Sequence, residues 1–319
     1  MLIPYILFFI GFILLIKGGD LFVDAATWFA KVTGLPEVII GATIVSLATT
    51  LPETMFSALS AVHNETAMSM GNAVGSIICN TGFVLGICNI IKPSKVNSRI
   101  FYVKGIMLLL YVVILWVLAS NGVIGHLSSL ALFSMLAIYL LFNVEIVRYK
   151  ITKFQNNKKR KKEISFSFKE VLFQVFQFFF GAFLILVGAN LLVDYGVIIA
   201  EHWHMPTAII SLTLIALGTS LPELITSISA IRKGHAALSM GNILGSNILN
   251  VTMTIGVSAN FNDLIVNPQT LALDIPVAFA LNFLLVIPAF FTKRINRFQA
   301  LVLLLGYFSY IIFLLIYHI

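Results

Sequence analysis

The most constraining feature of this chain is an acidic motif set inside apolar sequence and used twice. Ser46-Leu-Ala-Thr-Thr-Leu-Pro-Glu53 returns 170 residues later as Ala216-Leu-Gly-Thr-Ser-Leu-Pro-Glu223. At the same offset GNAVGSIICN, from Gly71, becomes GNILGSNILN, from Gly241, and Gly18/Gly188, Leu21/Leu191, Val23/Val193, Asp24/Asp194 and Pro36/Pro206 also match. The chain is a duplication. Of its 319 residues 59% are hydrophobic and only 10% charged, more apolar sequence than one soluble core uses, which leaves a polytopic helical membrane protein as the class. Carboxylates are costly inside a bilayer and mark functional sites there, and duplicated halves place such groups at a shared midplane.

Apolar runs of crossing length fall near 2–24, 37–61, 66–91, 101–119 and 123–147, then near 168–199, 206–231, 236–258, 270–291 and 297–317. The expected fold is an all-α polytopic membrane protein of ten transmembrane helices, built as two five-helix repeats, 1–147 and 168–319, around a basic linker at 148–167. Five spans per repeat is an odd number, so the second repeat enters the membrane inverted. Lys92, Lys95 and Arg99, the run Lys158-Lys-Arg-Lys-Lys162, the pair Arg232/Lys233, and Lys293, Arg294 and Arg297 occupy alternate loops. The loops around Asn64, Asn121, Glu201 and Asn260 contain no lysine or arginine. By the positive-inside rule the linker is cytoplasmic and both termini face outward. The first apolar stretch lacks a basic leader and a cleavage site and reads as a span.

The net charge of +7 comes from these topology signals, which excludes nucleic acid as a partner. The expected partners are the lipid bilayer and inorganic cations, with no obligatory protein partner and no cofactor. A short linker and no organellar targeting segment point to a prokaryotic plasma membrane. Cys79 and Cys88 share one apolar segment and offer neither a metal-ligand pattern nor a disulfide.

At helical spacing Ser46, Thr49, Thr50, Glu53 and Ser57 share one face of the second span, and Ala216, Thr219, Ser220, Glu223 and Ser227 repeat it in the seventh. Pro52 and Pro222 cannot donate to the carbonyls of Ala48 and Gly218, so both helices are expected to kink or break there. A second polar stripe runs through Ser69, Asn72, Ser76 and Asn80 in the third span and through Ser239, Asn242, Ser246 and Asn250 in the eighth. Two carboxylates among hydroxyl, amide and carbonyl oxygens, without histidine or thiolate, suit calcium or sodium as ligands. One divalent ion cancels both charges, and sodium ions or protons competing for the same glutamates, Glu53 and Glu223, would couple opposing fluxes. Gly71/Gly75 and Gly241/Gly245 are expected to be close helix contacts, with Asn72 and Asn242 as interhelical supports. Asp20, Asp24, Asp194, Asp274 and Glu37 read as capping or interfacial residues at span ends, and His202 and His204 as loop residues.

At these motifs the chain resembles the cation/calcium exchanger superfamily, and especially its sodium/calcium exchangers, whose inverted alpha repeats contain G-T-S-L-P-E-like and G-N-x-x-G-S-N motifs. The resemblance covers essentially all ten spans. It implies ion ligands at Glu53, Thr49, Thr50, the Ser46 carbonyl, Ser76 and Asn80, mirrored by Glu223, Thr219, Ser220, the Ala216 carbonyl, Ser246 and Asn250. The chain departs from the pattern at Thr50, Ala48 and Ile77, and at Asn250, which is aspartate in some members. With Asn80 and Asn250 both neutral, the implied cage has two fixed negative charges. The resemblance implies an alternating-access antiporter exchanging calcium for sodium, with the long first and sixth spans as the moving pair. Calcium/proton exchange is the alternative, and a passive cation channel is the competing class. No GxSxG or HExxH pattern of an enzyme occurs.

Overall fold

A computed structural model describes residues 2–96, 99–158, 167–203 and 218–317. The helices are α1 (Leu2–Thr33), α2 (Glu37–Val62), α3 (Thr66–Ile91), α4 (Arg99–Ala119), α5 (His126–Lys158) and α6 (Phe168–His202). After residues outside the description come α7 (Leu221–Arg232), α8 (236–261), α9 (Thr270–Thr292) and α10 (Arg297–Tyr317). Eight of these are long and apolar enough to cross a membrane, and the expected all-α architecture is the one observed. α5 runs on to Lys158, so the linker expected from 148 begins as helix, because nothing between 148 and 158 breaks it: no proline or glycine occurs there.

The inversion of the repeats is visible in two small antiparallel clips. Strand β1 (Ser94–Lys95), between α3 and α4, pairs with β4 (Arg294–Ile295), between α9 and α10. Strand β2 (Val123–Ile124), between α4 and α5, pairs with β3 (Leu264–Ile265), between α8 and α9. Each clip joins the third connection of one repeat to the fourth connection of the other. Those connections lie on opposite sides of the membrane within a repeat, so they meet only if one repeat is upside down. The turns after α2 and α7 also correspond: Asn64 (φ 67°) and Gly234 (φ 87°), 170 residues apart, both take the left-handed conformation.

Packing divides the bundle. One continuous core is built from α3, α4, α5, α8, α9 and α10, around Phe101, Tyr139, Ile243 and Leu285. A second cluster belongs to α1 and α6 with parts of α2 and α7, and Phe22 stacks on Phe178 with ring centroids 4.4 Å apart. α1 and α6 meet backbone to backbone at two levels: a Cβ on Gly11 would lie 2.9 Å from the Gly188 carbonyl, and one on Gly18 would lie 2.8 Å from that of Gly181. Small residues at such spacing let membrane helices approach closely. With 32 and 35 residues, these two helices exceed the roughly 20 that a bilayer requires, so they tilt or project. Lys233, just after α7, holds the second half of α1 through Asp24 (2.7 Å) and Asp20 (3.7 Å), which lie within the helix and not at its end as expected, because α1 runs on to Thr33.

Candidate functional site

The polar faces of α2, α3, α7 and α8 converge inside the bundle. Ser46, Thr50, Glu53, Asn80, Glu223, Ser246 and Asn250 expose no surface, and Thr49, Ser76 and Ser220 almost none. Glu53 and Glu223 are near enough for each carboxyl group to feel the other's charge. The Ser246 hydroxyl donates to Glu223 Oε1 at 3.2 Å and lies 3.4 Å from the Thr49 hydroxyl, so residues from α2, α7 and α8 meet at one point. Thr49 Oγ1 also reaches the Ser46 carbonyl and Asn242 Oδ1, each at 3.3 Å. Asn72 Nδ2 donates to the Glu53 carbonyl (3.3 Å) and to Ser57 Oγ (2.9 Å), tying α3 to α2.

What these groups lack is as telling as what they have. Both oxygens of Glu53, Oε2 of Glu223, Thr50 Oγ1, Ser76 Oγ, Ser220 Oγ and both polar atoms of Asn80 are buried without a hydrogen-bond partner. Buried polar atoms are nearly always satisfied, so a cluster of orphaned oxygens marks a place where something else supplies the partner. Oxygens at this density, two of them on carboxylates, fit a hard cation. Among the described residues no group of three or more histidine, cysteine, aspartate or glutamate side chains is assembled to hold a metal. The donors beyond the two glutamates are neutral.

Local backbone structure explains how they converge. α2 bends at a π turn over Gly41–Val45, where Ala42 leaves helical geometry (φ −82°, ψ 15°). It then runs unbroken through Pro52. The kink expected at Pro52 therefore lies a few turns earlier, because a membrane helix keeps its course past a proline when neighbouring helices support it. In the second repeat the expectation at Pro222 holds. Thr219 and Ser220 form a turn, and α7 begins at Leu221 with the proline in its first turn, where a missing N–H is harmless. Asn80 and Asn250 both fall in π turns, Cys79–Val84 in α3 and Asn250–Thr254 in α8. Such turns concentrate at functional sites. Nothing in the residue pattern announced them.

Other expectations divide. Gly241 and Gly245 are close contacts: a Cβ on Gly245 would strike the Ala42 Cα at 2.7 Å, and one on Gly241 the backbone of Val38. No described residue lies within 4 Å of a Cβ on Gly71 or Gly75. These two line a cavity of about 230 Å³ instead, and residues 208 and 212, which the repeat pairs with Val38 and Ala42, lie outside the described residues. Ala216 and His204 lie outside them too. Thr219 is half-buried and lines a separate cavity of about 300 Å³ with Pro52, Asn190 and Asp194. Asp274 is not interfacial. It is buried, accepting from Tyr310 Oη (3.1 Å) and Gln269 Nε2 (3.4 Å), because the π turn Thr270–Asp274 directs it inward. Glu37, at the start of α2, bonds His235 at 2.7 Å.

Sequence reasoning missed Thr54 and Thr254, whose hydroxyls meet at 2.8 Å, with Thr254 donating to Asn250 Oδ1 at 3.0 Å. It also missed where Asn247 points: its amide donates to Thr81 Oγ1 at 2.7 Å, beside Asn282. The signal for Asn247 was its mismatch with Ile77, since a residue present in only one repeat serves a contact that only one repeat makes.

The family model described as "Sodium/calcium exchanger protein" matches residues 3–145 and 173–316. The chain is 28% identical to the sodium/calcium exchanger MaX1 of Methanosarcina acetivorans over 98% of both chains. It is 30% identical to the putative antiporter CaxA of Alkalimonas amylolytica, covering 97% of this chain and 98% of that one. Among solved structures, the sodium-calcium exchanger NCX_Mj soaked with Na+ and Sr2+ superposes with a TM-score of 0.84 at 30% identity, over 97% of this chain and 98% of that chain.

Proposed function

Since the chain belongs to the sodium/calcium exchanger family, we propose that it is a secondary-active antiporter exchanging Ca2+ for Na+ at the site centred on Glu53 and Glu223. The observation that carries this reading is the pair of fully buried, neighbouring carboxylates on α2 and α7, with orphaned hydroxyl and amide atoms on the same two helices and on α3. Two like charges at bilayer depth each cost roughly 2.5–3.5 kcal/mol on insertion scales before repulsion is added. A bound Ca2+ removes both charges at once, and Na+ ions replace it in the opposite half-cycle. Because both ions need the same carboxylates, binding of one excludes the other, and competition couples the fluxes.

Thr49, Thr50, Ser220, Ser246, Ser76, Asn80 and Asn250, with the Ser46 carbonyl, complete the oxygen set, while Asn72 and Asn242 bridge helices behind it. Movement of α1 and α6 against the remaining bundle opens the site to either side, and their separate packing cluster supports that division. The clip β1·β4 gathers Lys92, Lys95, Arg99, Lys293, Arg294 and Arg297 at one end of the bundle, which supports a cytoplasmic face there and termini outside. The membrane is the prokaryotic plasma membrane.

Calcium uptake into proteoliposomes tests the reading, with an outward sodium gradient, an outward proton gradient or none. Sodium-driven accumulation is expected. Accumulation driven by protons alone replaces sodium as the counter-ion, and equal flux without any gradient makes the protein a channel.

A further inference from the structure

The bend in α2 leans on a buried tyrosine and lysine that the ion site does not use. In the π turn, the N–H at Ser46 that would ordinarily reach the Ala42 carbonyl goes to Gly41 instead. The Ala42 carbonyl takes its hydrogen bond from the Tyr139 hydroxyl, on α5. Tyr139 is fully buried, and Lys104 of α4, also fully buried, sets its ammonium 5.2 Å from the centre of the Tyr139 ring. Lys104 Nζ donates to Asn143 Oδ1 at 2.6 Å, and Asn143 Nδ2 returns to the Tyr139 carbonyl at 2.8 Å. Among the described residues no carboxylate pairs with Lys104. On its other flank the bend rests against the Gly241 and Gly245 backbone of α8.

A lysine at this depth is expensive, and it opposes cations in a bundle built to bind them, so its default reading is functional. A cation over a phenol ring fixes the ring plane and draws electron density from the hydroxyl, which strengthens the hydroxyl as a donor. The arrangement is not repeated: Asp274 stands 170 residues beyond Lys104 and bonds Tyr310 instead. We propose that Lys104 and Tyr139 are positioning residues, a clamp that fixes the α2 bend and thereby places the Ser46 carbonyl, one turn further on, in the ion cage. The second half of that statement rests on the cage reading above.

The test compares wild type, Lys104→Met, Tyr139→Phe and the double variant by two readouts. The first is amide hydrogen exchange over residues 41–47, which needs no ion. Each single variant speeds exchange there by about tenfold or more, and the double variant does so no more than the stronger single, since both act through one contact. The second is the Ca2+ concentration that half-saturates sodium-driven uptake, which rises about 3- to 10-fold in both singles, the loss of one positioned ligand interaction. Unchanged exchange, or additive effects, overturns the clamp. Faster exchange with unchanged half-saturation overturns its link to the cage. Should the wild type show no calcium uptake, the cage reading fails while exchange still judges the clamp. If Lys104→Met does not fold, Lys104→Gln takes its place, keeping a donor to Asn143 without the cation.

Discussion

At the residue scale the site is a contest between charge and satisfaction. Ser246 links two helices across it, donating to Glu223 and meeting Thr49. Replacing it with alanine removes one neutral ligand and the link between α7 and α2 while leaving both charges, so Ser246→Ala should weaken apparent Ca2+ affinity by about 5- to 20-fold, the scale of one or two net hydrogen bonds. Uptake measured against Ca2+ concentration checks it; an unchanged curve removes Ser246 from the ion's contacts. These residues were legible because a carboxylate in apolar sequence is conspicuous and the second copy confirmed it. Thr54 and Thr254 were not. Thr54 adjoins Glu53 without belonging to the stripe recognised in its span, and Thr254 lies a turn beyond Asn250, where a π turn that no residue pattern encodes turns it inward.

At the element scale the decisive contact is α8 against the bend of α2. Gly245→Ala places a methyl 2.7 Å from the Ala42 backbone, which cannot yield as a flexible side chain would. Gly75→Ala, its repeat equivalent, meets no described residue. Thermal unfolding of the purified variants should therefore fall by several degrees for Gly245→Ala, an overpacking cost of about 1–3 kcal/mol, and stay near wild type for Gly75→Ala. Equal destabilisation would show that both glycines are packed. Most span limits were readable to within a few residues, since the apolar runs are long and their polar connections short, but α1 runs on from the expected 24 to Thr33 and α5 from 147 to Lys158, and the start of the seventh lies outside the described residues. The bend was misplaced because proline was the visible breaker, whereas the actual break comes from backbone hydrogen bonding at Gly41–Val45.

At the scale of the whole molecule, duplication with odd spans dictated the inversion, and the two clips display it. The division into an α1/α6 cluster and a larger core depends on which faces pack, and the sequence offered only their length as a hint. If that pair moves, cross-linking the second half of α1 to the residue after α7 should stop turnover. Bridging Asp24→Cys to Lys233→Cys, positions joined by a 2.7 Å ion pair, with a short cleavable thiol reagent should abolish exchange, and cleavage should restore it; the single variants treated alike control for the two natural cysteines, which are buried. Undiminished exchange in the bridged protein would contradict motion between those elements. Whether both ions share one cage is decided by radioactive calcium binding to the purified protein titrated with sodium, alongside Glu53→Gln and Glu223→Gln. A shared cage gives calcium binding that sodium displaces in the wild type and that is lost in either variant. Calcium binding that survives both substitutions, or that sodium leaves untouched, would contradict it.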